Sequence, residues 1–366
     1  MKQTIITCLA ALAGLAAQAQ TDVQTVDFGL PVHAIRIYGD TIFAATVASI
    51  HYSDLEGNTG PLYFLDVVSY DLVKSGDRFY DTGDEAVRLS QHPLRPDCIY
   101  RSRPHCDGTM GYTLSRSADF GRTWWTTGLY ELQLPGRPHL AFNPLNADEI
   151  IIYGMNEYVD CICPWMLRSH DGLETLQNVD FMMSEERTST DIVDIAFSPA
   201  TDGLLLMATT SGLARSTDGG NVWTYVDHFE GFFCGVCFDD EAPHVAYAAE
   251  LLPMPTGSDD YYTQYYNICR SDDDGLTWTI IATASQVLDG KATTALCDLQ
   301  CHGGILFWRI DSRVSFVRQA QSRQAVTNGV GRVAPEVPVP SVSYDLLGRR
   351  TAASRLTVTD GRIRLR

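Results

Sequence analysis

The sequence predicts an all-β fold, a β-propeller of six four-stranded antiparallel blades, with seven as the alternative count. Three observations lead there. An eight-residue turn occurs intact at Ser117-Ala118-Asp119-Phe120-Gly121-Arg122-Thr123-Trp124, at Ser216-Thr217-Asp218-Gly219-Gly220-Asn221-Val222-Trp223 and at Ser271-Asp272-Asp273-Asp274-Gly275-Leu276-Thr277-Trp278. A fourth copy, Ser169-His170-Asp171-Gly172-Leu173-Glu174-Thr175-Leu176, has its glycine one place early and no tryptophan. The aspartates at 119, 171, 218 and 273 are 52, 47 and 55 residues apart, a step that suits one propeller blade. The third observation is a second repeat running in phase, an apolar strand, a polar turn that often holds proline, then another apolar strand. It reads Val87 to Pro93 then Ile99-Tyr100, Leu140 to Pro144 then Ile150 to Tyr153, Ile192 to Pro199 then Leu204 to Met207, and Val236 to Phe238 then Val245 to Tyr247.

The chemistry of the turn explains its residues. Asp accepts from backbone N–H groups two residues on, and Gly takes the positive φ that closes the hairpin. The tryptophan then enters the next strand and packs between sheets. Ser117, Asp119, Gly121 and Trp124, with Ser216, Asp218, Gly220 and Trp223, Ser271, Asp273, Gly275 and Trp278, and Asp171 of the altered copy, therefore read as structural. An arginine precedes each copy, Arg116, Arg168, Arg215 and Arg270, and belongs to the same unit.

In chain order, Lys2, the apolar run Ile5 to Ala17 and the small-residue stretch Ala17-Gln18-Ala19 form a secretory signal peptide over 1–19. The propeller is expected over 20–320. Residues from about 24 to 75 form a first blade with a degraded turn at Tyr52-Ser53-Asp54, and blades two to five contain the four motifs. A sixth runs from Leu296 through Ile305-Leu306-Phe307-Trp308 to Val317. Residues 321–340, with spaced prolines at 335, 338 and 340, form an extended linker. No later apolar run approaches a membrane span.

Formal charge is −18, which argues against nucleic acid or an anionic membrane as partner. Ten cysteines less Cys8 of the leader leave an odd nine, and export permits disulfides, Cys98 with Cys106 being the natural local pair. Cys161 and Cys163, Cys234 and Cys237, and Cys297 and Cys301 are spaced like metal half-sites. Residues three apart on a strand face opposite ways, so Cys234 and Cys237 diverge unless a bulge intervenes. They are expected as buried strand thiols, and no metal or cofactor is assigned. Calcium is the one ion the acidic run Asp239-Asp240-Glu241 would suit, but the run lacks an alternating ligand loop and reads as solvated.

The Ser-x-Asp-x-Gly-x-Thr-Trp turns resemble the Asp-box, or BNR repeat, of sialidase-like and sortilin-like propellers. The segment 341–366, with Ser343-Tyr344-Asp345-Leu346-Leu347-Gly348-Arg349-Arg350 and Leu356 to Arg364, resembles the C-terminal sorting segment of type IX secretion cargo in Bacteroidetes. Its six arginines against two aspartates give +4, opposite in sign to the rest. That likeness implies export to the cell surface or medium, with the secretion machinery as a partner of the tail; the lack of a later long apolar run is what predicts no membrane insertion.

If the turns join third and fourth strands, the opposite face holds the loops between second and third strands and those between blades. There lie Arg101, Arg103 and Asp107 in one loop, Arg137 in the next connection, Glu157, Tyr158 and Asp160 in another, and Arg187 between blades three and four. The longest insertion, Leu251 to Asn267, holds Tyr261, Tyr262, Tyr265 and Tyr266 beside Asp259 and Asp260. Long loops on a rigid scaffold usually serve binding, and tyrosines suit sugar stacking or protein contact.

Two function classes follow. The likeness to sialidases implies three arginines on a carboxylate, an Asp acid/base and a Tyr nucleophile. Arg36 in Ala34-Ile35-Arg36-Ile37-Tyr38 stands for the first arginine, Asp107 for the acid, and Tyr265 or Tyr266 for the nucleophile. An endo-glycanase with two carboxylates, as in the xyloglucanases, would draw on Asp107, Glu157 and Asp160. The phase of strand, proline turn, strand and Arg-Ser-x-Asp motif is instead similar to sortilin-type and photosystem-assembly propellers, which bind proteins without chemistry. The expected function is an exported, surface-associated propeller that binds a glycan or an extracellular protein, the alternative a secreted glycoside hydrolase.

Overall fold

A computed structural model describes residues 23–62, 68–105, 111–126, 134, 136–155, 164–183, 191–226, 231–252, 263–287, 298–318, 356–359 and 362–365. The chain divides into two units, Met1–Ser75 with Phe79–Gln319 and Gly76–Arg78 with Ala320–Arg366. In the second, Leu356–Thr359 pairs antiparallel with Arg362–Leu365. The first is a propeller of six four-stranded antiparallel blades.

Blade 1 comprises Val32–Tyr38, Thr41–Thr46, Ser49–Asp54 and Thr59–Pro61, and blade 2 Arg88–His92, Arg95–Pro104, Tyr112–Ser117 and Trp125–Thr126. Blade 3 comprises His139–Phe142, Ile150–Met155, Pro164–Ser169 and Gln177–Asn178. Blade 4 has Ile192–Phe197, Leu205–Thr209, Gly212–Ser216 and Val222–Tyr225, with Met182–Met183 added parallel to its outer edge. Blade 5 has Phe232–Phe238, Ala246–Leu251, Thr263–Ser271 and Thr279–Val287.

Blade 6 corrects the expected boundary of blade 1. Its strands Gln300–His302, Ile305–Ile310 and Arg313–Arg318 are completed by Val23–Asp27, which pairs with Arg313 to Val317. The start of the chain therefore closes the ring rather than opening the first blade. Only Val26 of that strand is buried, and it packs with Val32, Phe307, Val314 and Phe316.

A second departure lies between blades 1 and 2, where Asp71–Ser75 and Arg78–Thr82 form a two-stranded sheet of their own. Successive residues of a strand face opposite ways. Leu72 packs on Ala34, Phe43, Ala45 and Ile50 of blade 1, and Val73 on Leu89, Ile99 and Phe120 of blade 2. The hairpin thus occupies a blade's position with half a blade's strands. Six blades and one hairpin make seven seams, and each holds one of the seven apolar clusters of the described residues.

The seams explain the continuous apolar runs. In Leu205–Thr209 every residue is buried, because Leu205 and Met207 face blade 3 while Leu206 and Ala208 face blade 5. The innermost strands of blades 1, 4 and 5 each carry a bulge near their start, at Val32/Ala34, Ile192/Asp194 and Phe233/Gly235.

Candidate functional site

The four turns share one bonding pattern. The serine hydroxyl donates to the aspartate at 2.8 Å in each, Ser117 to Asp119, Ser169 to Asp171, Ser216 to Asp218 and Ser271 to Asp273. It also accepts the N–H of the fifth residue, Gly121, Leu173, Gly220 or Gly275. The aspartate accepts the N–H of Thr123, Thr175, Val222 or Thr277. The threonine bonds, hydroxyl first and amide next, lower the carboxyls of Asp119 and Asp171 to about 2. Tryptophan Nε1 donates to the glycine carbonyl in all three intact copies, at 3.1, 2.9 and 3.0 Å.

Arginines tie consecutive turns together. Arg116 Nη1 donates to Gly172 O and Arg215 Nε to Asp274 O, both at 2.9 Å, each across one seam. Arg168 lies with its guanidinium against Gly219 and Gly220, where an added Cβ on Gly220 would meet Nη2 at 3.2 Å. Arg270 faces blade 6, which has no such turn, and pairs instead with Asp272 at 2.6 Å. Between these turns lie two open seams, of about 380 Å³ beside Arg215, Asp218 and Leu276 and about 310 Å³ beside Arg95, Cys98 and Arg116.

The innermost strands begin on the opposite rim, and there the charged residues collect around the channel. Arg36 Nη2 bonds Asp71 at 2.8 Å and Leu89 O at 3.1 Å, while Asp71 accepts the N–H groups of Leu72 and Leu89. Arg309 pairs with Asp298 at 2.9 Å and donates to Val32 O at 2.7 Å. Asp194 accepts from Tyr153 Oη at 3.1 Å, from Val236 N at 3.0 Å and from Ile195 N at 2.9 Å. Each set joins neighbouring blades at the axis. Burial opposes the Arg36 charge, but Asp71, Asp298 and Tyr38 outweigh it and raise its pKa. Burial, then Arg309, lowers the pKa of His33.

Burial pushes Asp194 up to about 6 despite its three donors. An acid whose folded pKa lies above its unfolded value favours the native state while protonated. That contribution is full below the unfolded value near 4 and is lost as pH rises through 6. Thermal unfolding between pH 4 and 7 is expected to show a loss on the order of 2 kcal/mol in the native protein that is absent from Asp194→Asn. Parallel pH profiles for the two proteins would refute it.

The structure disperses the residues singled out from sequence. Arg36 lies at the channel, held by Asp71. Arg101 is not in a loop: it pairs with Leu89 and Ser115 within Arg95–Pro104, and its guanidinium stacks on Trp124 at 4.2 Å. Arg103, on the same strand as Arg101, pairs with Thr113 of the next strand and is exposed. Arg137 precedes the first strand of blade 3, its carbonyl against Gly154. Tyr265 is 42 % exposed, on the third strand of blade 5. Tyr266 is 1 % exposed and packs in the seam between blades 5 and 6, its hydroxyl donating to Gln264 Oε1 at 2.8 Å; the alternation of the strand sends it inward. Asp107, Glu157, Tyr158, Asp160, Arg187, Tyr261 and Tyr262 lie outside the described residues.

The thiols also depart from expectation. Cys98 is a free, buried thiol, and the strand runs on to Pro104. Cys106, its expected partner, lies outside the described residues. Cys234 and Cys237 do not diverge: the bulge at Phe233/Gly235 turns both toward the blade 5 and 6 seam.

Sequence reading missed Asp71, Asp194, Asp298 and Arg309. The available signal was a charged residue inside an apolar run, as in Ile192-Val193-Asp194-Ile195.

The ring defines a β-propeller. No family model matches the chain, and no curated protein does. Solved structures share the fold. An extracellular domain of a hybrid two-component system from B. thetaiotaomicron is 10% identical, with a TM-score of 0.51 over 82% of this chain and 40% of that one. The phage phi92 endosialidase is 11% identical, with a TM-score of 0.46 over 94% and 79%. An ancestral GH74 enzyme is 14% identical, with a TM-score of 0.44 over 76% of this chain; this chain spans about a third of it, 34%.

Proposed function

We propose that the chain is an exported, surface-associated Asp-box propeller that binds a glycan or an extracellular protein on the face opposite its turns, without catalysis. The observation that supports this most directly is the engagement of the channel-mouth charges. Arg36, Asp71, Arg309, Asp298 and Asp194 are each bonded to protein groups of the same or a neighbouring blade. Fixed chemistry at that rim therefore holds blades together. Recognition falls to the segments 106–110, 156–163, 184–190 and 253–262, whose flanking strands end on that rim. The tail 341–366 is the part addressed by the secretion machinery.

Replacing residues 253–262 by a short Gly-Ser turn spares Tyr266 and the core. Binding to a glycan array and to a panel of extracellular proteins is expected to fall at least tenfold with Tm unchanged. Undiminished binding would exclude the insertion. Turnover of a fluorogenic sialoside or of a polysaccharide panel, lost in Asp107→Asn, would replace this reading with the hydrolase one.

A further inference from the structure

Two aspartates and a cysteine that the sequence treats separately meet at the seam of blades 5 and 6. Asp239 and Asp240 follow Phe232–Phe238, the innermost strand of blade 5, and Cys301 is central in Gln300–His302, the innermost strand of blade 6. A carboxylate oxygen of each aspartate and Cys301 Sγ all lie within 4.8 Å of one another, the one such group of three among the described residues. Asp239 is buried, Cys301 intermediate and Asp240 exposed, so the donors run from the core to solvent and leave a path of entry.

The surroundings orient these donors and leave them capacity. Asp239 Oδ1 accepts the N–H groups of Glu241 and Ala242, and Oδ2 accepts Tyr247 Oη at 3.2 Å. Asp240 accepts Gly303 N at 2.9 Å and Gly304 N at 3.2 Å. His302 Nε2 accepts Gly39 N, which leaves its Nδ1 as the donor, 3.4 Å from Asp240. A carboxylate oxygen has two lone pairs, and metal-ligating carboxylates are themselves hydrogen-bonded in this way. Glu241 is close by: a Cβ on Gly304 would meet its Oε2 at 2.9 Å.

Charge points the same way. Among the described residues no Lys or Arg pairs with Asp239 or Asp240, and His302 is the one basic partner.

We propose that Asp239, Asp240 and Cys301 bind a zinc ion, with Glu241 or water in the fourth position, stapling blade 5 to blade 6. The thiolate selects zinc over calcium or magnesium. Zinc lies ~2.3 Å from sulfur and ~2.1 Å from oxygen, a spacing within reach of side-chain adjustment for donors that lie within 4.8 Å of one another. Zinc displaces the Cys301 proton, forming one zinc–sulfur bond and releasing one H⁺ to solvent. This site is independent of the ligand face.

The test is calorimetric titration of the chelator-treated full chain with zinc chloride, in two buffers of different ionisation enthalpy. One zinc per chain is expected, with about one proton released and a raised Tm. Cobalt in its place is expected to give a sulfur-to-metal absorption band that Cys301→Ser abolishes. Asp240→Asn, at an exposed position, is expected to weaken zinc binding at least tenfold even if Cys301→Ser disturbs blade 6. No uptake, uptake undiminished in both variants, or equal competition by calcium would overturn the proposal.

Discussion

Substituting Val26 by aspartate is expected to cost about 4 kcal/mol, the scale of an unpaired charge in a core, and to lower Tm by roughly 8 °C in a domain of this size. The side chain is 6 % exposed and lies between blades 6 and 1 with Phe307 and Phe316, where a carboxylate meets no partner. Its strand also supplies the ladder from Val23↔Val317 to Asp27↔Arg313. Deleting 23–27 is expected to do more, leaving blade 6 with three strands and the ring open. A permuted chain separates closure from chain order. In the other blades a short turn joins third and fourth strands, so moving 23–27 to follow Arg318 through a copy of the Ser271 to Trp278 turn is expected to restore Tm to within a few degrees. A deletion that unfolds no more easily than the native chain, by calorimetry, would refute closure by this strand.

The fold was legible because the turn motif is local. Bonds from Ser216 and Asp218 reach only as far as Val222, so eight residues state the structure of a corner, and their recurrence states the ring. The closing strand was not legible, because Val-Gln-Thr-Val-Asp at 23–27 pairs with residues some 290 positions away and no local feature assigns it to the first or the last blade. The hairpin was hidden similarly: Asp71-Leu72-Val73 reads as the last strand of a blade, and only its two faces, one on each neighbour, show it to be a position of its own. The site was less legible still. Arginines and aspartates at the axis, such as Arg36 with Asp71, act across seams, and a reading that looks for them in loops passes over strand residues. Tyr265 and Tyr266 show the limit of composition: neighbours in sequence, one faces solvent and the other the core.

The altered turn of blade 3 leads to the second large effect. Trp223 is wholly buried among Ile151, Met166, Phe197 and Met207, and Trp223→Ala is expected to cost 3–5 kcal/mol, roughly the range for truncating a core aromatic. The equivalent change at Trp278, partly buried, is expected to cost about half as much. In blade 3 the tryptophan is already gone, and the fifth position, glycine elsewhere, is Leu173 at φ 77. That leucine is 3 % exposed and packs between blades 2 and 3. In the intact turn of blade 4 the corresponding position is crowded by the indole: a Cβ on Gly220 would meet Trp223 Cζ2 and Arg168 Nη2, each at 3.2 Å. Leu173, with Leu176 at the tryptophan's own position, packs in the seam of blades 2 and 3, at the expense of a left-handed backbone worth ~1–2 kcal/mol. Gly220→Leu alone is expected to destabilise by more than that strain, because ring and side chain collide. In the Trp223→Ala background the same substitution is expected to destabilise less by at least ~1 kcal/mol, the coupling of residues that share a space. A cycle of the two single variants and the double one, followed by denaturant unfolding, measures that difference. Additive effects would mean that the leucine of blade 3 does not replace the missing tryptophan.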